Sequence, residues 1–133
     1  MSANAVQVGG DHYKASDNQP WDLISRHGIG FLEGSVIKYV SRWRGKNGRE
    51  DLEKAHHFLM KIEEVEQEGY TPAGDCGPRV LNDYFLANEI TDFRERIVIS
   101  IMATRWSPNQ LNHAALLLGS LIETARDGEA QES

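Results

Sequence analysis

Two apolar stripes of helical period, separated by a very short turn, constrain this chain more than any other feature. Between residues 31 and 44, Leu32, Val36, Tyr39, Val40 and Trp43 recur at spacings of three and four. Between 52 and 65, Leu52, Ala55, Phe58, Leu59, Ile62 and Val65 do the same. Gly45 can end the first helix, and Asn47 followed three residues later by Glu50 reads as a capping box for the second. Helices joined so closely must run antiparallel, so residues 28–68 are expected to form a helical hairpin.

The remaining segments fit the same class. Residues 1–19 hold Gly, Asn, Asp and Ser without an apolar period and are expected to be an extended arm. Pro20 opens a short helix anchored by Trp21, Leu23 and Ile24 and closed by Gly28 and Gly30. Residues 69–78 carry two prolines and three glycines and read as a loop. Helices are then expected over 81–90, over 93–105, and from Pro108 to about 126, with a frayed tail after 127. The expected fold is all-α: an arm at 1–19, one hairpin within 20–69 and a second within 79–127, packed as a small bundle. Phe31-Leu-Glu with Val36-Ile37 repeats as Phe93-Arg-Glu with Val98-Ile99 at a constant offset of 62. This is either a degenerate duplication, with the second copy serving packing or oligomerisation, or the chance alignment of two amphipathic hairpins.

Charge limits the partners. The 133 residues carry 20 acidic and 14 basic side chains, a formal net charge of −6. A chain this acidic repels double-stranded nucleic acid and anionic membranes unless a local patch intervenes. No run approaches a membrane span, no signal peptide is recognisable, and Cys76 is the lone cysteine, so a cytoplasmic location is expected.

Such a patch exists. From 34 to 49 there are five cations, Lys38, Arg42, Arg44, Lys46 and Arg49, and no acid. Lys38 and Arg42 are one helical turn apart, beside the small residues Gly34, Ser41 and Gly45, which would leave room for a phosphate. The alternative is a solvated face paired with the Glu-rich second arm. Asp51 falls in the apolar stripe of its helix, either as a structural partner of Arg42 or Lys38 or as a site carboxylate that orients them or takes a proton. Glu33 carries the same two readings, and Lys54 would extend the cationic site. In GGDHYK, His12 and Tyr13 could serve a nucleotide or belong to an incidental tail.

No zinc spacing and no P-loop is present. A separate pattern, Glu63-x-x-Glu66 and Glu89-x-x-Asp92, is similar to the magnesium-binding E-x-x-E and E-x-x-D pair of all-helical nucleotide pyrophosphohydrolases.

Together GGDHYK, QPWDLI, GFLEGSVIKYVSRWRGKNG and EDLEKAHHFL resemble a small bacteriophage and prophage domain family that includes the nucleotide kinase of T7-like phages, over about residues 8–67. The resemblance implies a kinase acting on deoxynucleoside monophosphates without a P-loop, with ATP or another NTP as donor, in the host cytoplasm; a homo-oligomer is expected separately, because a bundle this small could need a second chain to finish its pocket. Carried onto this chain it implies catalytic roles for Lys38, Arg42, Asp51 and Glu33, and substrate contacts from His12, Tyr13, Trp21, Tyr39, Lys46 and Lys54. Whether a divalent metal takes part stays open. Two other readings remain: a non-catalytic module holding a nucleotide or a host protein, and the magnesium-dependent pyrophosphohydrolase.

Overall fold

The apolar stripes of the first hairpin become α2 (Phe31–Arg42) and α3 (Arg49–Gln67) in the computed structural model, which describes residues 18–132. A short helix α1 (Pro20–Arg26) precedes them, and α4 (Pro78–Ala87), α5 (Phe93–Met102) and α6 (Pro108–Glu132) follow. The described residues contain six α-helices and no strand, so the protein is all-α. The segment with His12 and Tyr13 lies outside the described residues.

Local chemistry moved several boundaries from their expected places. The chain leaves α2 through a 3-10 helix, Trp43–Gly45. Gly48, at φ +59, then caps α3, while Asn47 turns its side chain toward Asp51 instead of closing a capping box with Glu50. Pro78 starts α4 three residues earlier than its apolar pattern suggested, since proline suits the first helical turn. α5 stops at Met102, shorter than expected. α6 opens on a reciprocal cap, with the Ser107 amide donating to the Gln110 side chain at 2.8 Å and the Gln110 amide to Ser107 Oγ at 3.2 Å. Its tail does not fray at 127; Glu129 pairs with Arg49 at 3.2 Å and ties the end of α6 to the start of α3.

α2, α3, α6 and α5 pack around a ring in which each helix is antiparallel to its neighbours. Val36, Ile37, Val40, Leu52, Leu59, Ile62, Val98, Ile99, Leu118 and Leu121 are fully buried between them. α1 lies on α2 at Gly34, where an added Cβ would sit 3.0 Å from Ile24 Cδ1.

Two buried glutamates lock the hairpins to each other. Glu33, in the first turn of α2, accepts the indole N–H of Trp106, just past the end of α5, at 3.3 Å. Glu95, in the first turn of α5, accepts the indole N–H of Trp43, just past the end of α2, at 2.7 Å. The exchange is reciprocal and fixes α2 and α5 antiparallel. Each carboxylate finds a further donor: Tyr70 Oη donates to Glu33 at 2.8 Å and Arg44 Nε to Glu95 at 2.9 Å. A buried carboxylate without donors costs several kcal/mol, so these bonds decide whether the helices can meet. Trp43→Phe and Trp106→Phe should each lower unfolding free energy by about 1–3 kcal/mol in urea titrations, because each strands a lone pair on a buried carboxylate. Losses under about 0.5 kcal/mol in both would contradict the exchange.

Candidate functional site

Four of the five cations between 34 and 49 divide into two groups, and Lys54 joins one of them. Arg44 stacks over the Trp43 ring at 4.3 Å and pairs with Glu95 and Asp92, and Arg49 pairs with Glu53 and Glu129. Both hold the bundle together. Lys38, Arg42 and Lys54 instead gather on one ring: Lys38 Nζ lies 5.2 Å, Arg42 Cζ 4.8 Å and Lys54 Nζ 5.6 Å from the centroid of Tyr39. The outer face of α2 and α3 is therefore the candidate site, with Arg42 at its edge toward the turn. Tyr39 is half-buried between the helices, and the negative face of its ring attracts the cations gathered on it.

The three cations differ in their other partners. Lys38 is exposed and makes no ion pair among the described residues. Lys54 makes a surface pair with Glu50 at 3.9 Å, a contact of little net worth. Arg42 is bound firmly, with Nε 3.3 Å from Asp51 Oδ2 and Nη2 3.2 Å from Oδ1, a two-pronged pair. Asp51 is fully buried and also accepts the backbone and side-chain N–H groups of Asn47 at 3.3 and 3.4 Å. It sits in the apolar stripe as the sequence indicated, and it sets both the turn and the direction of the Arg42 guanidinium.

Other expected site residues stand elsewhere. Glu33 is nine residues before Arg42 on α2, about 13 Å along the axis, and its carboxylate is enclosed by Tyr70 and Trp106. Burial and that carboxylate push the Tyr70 phenol up to about 12. Trp21 is half exposed on α1, and Lys46 lies in the turn, where its backbone N–H reaches Trp43 O at 3.4 Å. Gly34 does not open space for a ligand, because it admits Ile24, whereas Ser41 and Gly45 line a cleft of about 400 Å³ together with Arg42 and Arg44, and Ser41 Oγ meets Tyr84 Oη at 2.7 Å.

The carboxylate quartet is not assembled. Among the described residues no group of three His, Cys, Asp or Glu side chains is placed to hold a metal ion. Asp92 lies at the end of the bundle where α3 begins, through its pair with Arg44, whereas Glu63 is fourteen residues into α3 from Arg49, about 21 Å along the axis. Asp92 is also spent on Arg94, whose guanidinium holds its carboxyl below the usual range. The neighbouring Glu95 is pushed the other way, upward, by burial. Cys76 is buried, and burial and then Asp75 push its thiol up to about 11, which disfavours the thiolate at neutral pH.

Sequence reasoning missed Phe58 as part of the site. Its ring stacks on Tyr39 with centroids 6.0 Å apart and planes 22° apart, and meets Phe31 edge-on at 5.9 Å. It was legible only as one more member of the apolar stripe.

Fold and site thus define an all-α bundle bearing a cation-ringed aromatic face on its first hairpin. Residues 8–60 match the model of a family described as a protein of unknown function, DUF3310, and the match takes in Lys38, Tyr39, Arg42, Asp51, Lys54 and Phe58. No curated protein and no solved structure matches the chain. No helix among the described residues is long and apolar enough to cross a membrane.

Because Arg42 keeps some solvent contact while Asp51 keeps none, losses on the two sides of the pair should be unequal. Arg42→Met leaves a buried charge uncompensated and should cost about 3 kcal/mol or more, whereas Asp51→Asn, which frees a guanidinium able to turn to water, should cost less. Equal losses in chemical denaturation would show that Asp51 is not held by Arg42.

Proposed function

We propose that the face around Tyr39 binds the phosphate of a nucleotide, and that the chain is a nucleotide kinase of the phage type, transferring a phosphoryl group from ATP or another NTP to a deoxynucleoside monophosphate. The observation that carries the reading is the convergence of Lys38, Arg42 and Lys54 on one ring in a chain of net charge −6. Lys38 and Lys54 are point charges with three donors each, and Arg42 offers a planar fork aimed by Asp51. The kinase half of the reading is supported by the resemblance of residues 8–67 to the phage domain family.

Phosphoryl transfer suits such a site. Its transition state spreads charge over the equatorial oxygens, so positioning and fixed positive charge supply most of the catalysis, and a glycine-rich loop is one means among several. The acceptor is itself a phosphate with a second pKa near 6, largely dianionic at neutral pH, so it needs no general base. On this mechanism Asp51 is a positioning residue that aims Arg42, and Glu33 belongs to the packing of the bundle. A phage-encoded enzyme of this kind would work in the host cytoplasm.

A panel of deoxynucleoside monophosphates with ATP, followed by coupled release of ADP, should give turnover with at least one acceptor. Lys38→Ala and Lys54→Ala, both on exposed or half-exposed stems, should each lower kcat/KM about tenfold or more with unchanged helicity, the loss of roughly 1.4 kcal/mol of transition-state stabilisation. Stoichiometric binding without turnover would leave the binding half and remove the kinase. Neither binding nor turnover would remove both.

A further inference from the structure

The outer face of the first hairpin continues from the Tyr39 cations toward the start of α2. Lys54, His57, Phe58 and Lys61 are spaced i, i+3, i+4 and i+7 along α3 and form one stripe. With Leu32 of α2 they line a cleft of about 320 Å³. Leu32 and the Phe58 ring supply its apolar wall, and none of the five lining residues is a carboxylate. The Phe58 ring is fixed from two sides, stacked on Tyr39 and met edge-on by Phe31. Phe31 itself is 77% exposed, a large apolar side chain kept at the surface beside the cleft rather than in the core. Lys54 belongs to both features, lining the cleft and standing over Tyr39.

We propose that this cleft seats the base of the nucleotide whose phosphate lies on Lys38, Arg42 and Lys54. The inference rests on the phosphate reading above and adds where the rest of the ligand goes. Small-molecule sites begin at roughly 300 Å³ and combine apolar walls with a few polar groups, which is the make-up of this cleft. Flat aromatic heterocycles gain by stacking on a fixed ring, and such stacking tolerates any base because each has a π-face. Lys54, reaching both the ring of Tyr39 and the cleft, spans the junction that the sugar would occupy. The occupant is thus a nucleoside monophosphate rather than a bare phosphate, with little discrimination among bases.

Calorimetry on the full chain with the four deoxynucleoside monophosphates and with 2-deoxyribose 5-phosphate, the same phosphate without a base, tests this. Each nucleotide should bind at least about tenfold tighter than the sugar phosphate. Phe58→Leu should bring nucleotide affinity down to that of the sugar phosphate. His57→Trp, which fills the cleft from an exposed position without disturbing the core, should do the same. Equal affinities for nucleotide and sugar phosphate in the unaltered protein, with both lost in Lys38→Ala, would overturn the base site and keep the phosphate site. A nucleotide preference that survives in both cleft variants would also overturn it. Failure of every probe to bind would overturn the phosphate reading and this inference with it.

Discussion

The exchange of indole N–H bonds between the hairpins is the interaction on which the rest of this structure depends. Glu33 and Glu95 each sit in the first turn of a central helix, where the helix dipole favours an anion, and each is buried almost completely. Apolar packing alone would reject them. Trp106 and Trp43 make the burial tolerable and do so in opposite directions across the α2–α5 contact, so neither helix can slide without leaving a carboxylate stranded. The arrangement specifies register more than it adds stability, because two apolar residues of similar shape could fill the same space at no electrostatic cost.

Fixing α2 on its inner side leaves its outer side to the site. Tyr39 and Arg42 project from the helix that the two glutamates anchor, and α3 brings Asp51, Lys54 and Phe58 alongside. Asp51 joins the two roles: it is buried in the stripe that packs the hairpin, yet it aims a guanidinium toward the surface. The second hairpin contributes by pairing Arg44 with Glu95 and Asp92, which offsets that cation's charge and leaves Lys38, Arg42 and Lys54 as the group around one ring.

Much of this was legible in residue order. The two stripes gave the hairpin, the prolines and glycines gave its loops, and Asp51 stood out because a carboxylate fell among leucines. Helix ends were less legible, since Gly48 and Pro78 determine caps through backbone geometry that an apolar period does not record. Glu33 shows the limit most clearly. It stood out only as a carboxylate with two readings, Glu95 was not singled out at all, and the partners that explain both are tryptophans 52 and 73 residues away in sequence. Basic residues were equally ambiguous: charge density drew attention to the turn, whereas the distribution of ion pairs, a tertiary property, moves the candidate site onto the face of Tyr39. Phe58 could not be told from a core residue, because stripe position does not say whether a ring ends beneath a neighbour or at the edge of a cleft.

The most direct test of the central claim, that an anion-binding face lies on the outer side of the first hairpin, is an amide-resonance titration of the labelled protein with a deoxynucleoside monophosphate. The account predicts saturable shifts concentrated at Lys38, Tyr39, Arg42, Lys54 and Phe58, with α5 and α6 unmoved. Shifts centred instead on the loop between α4 and α5, or on Glu63 and Glu66, would contradict it.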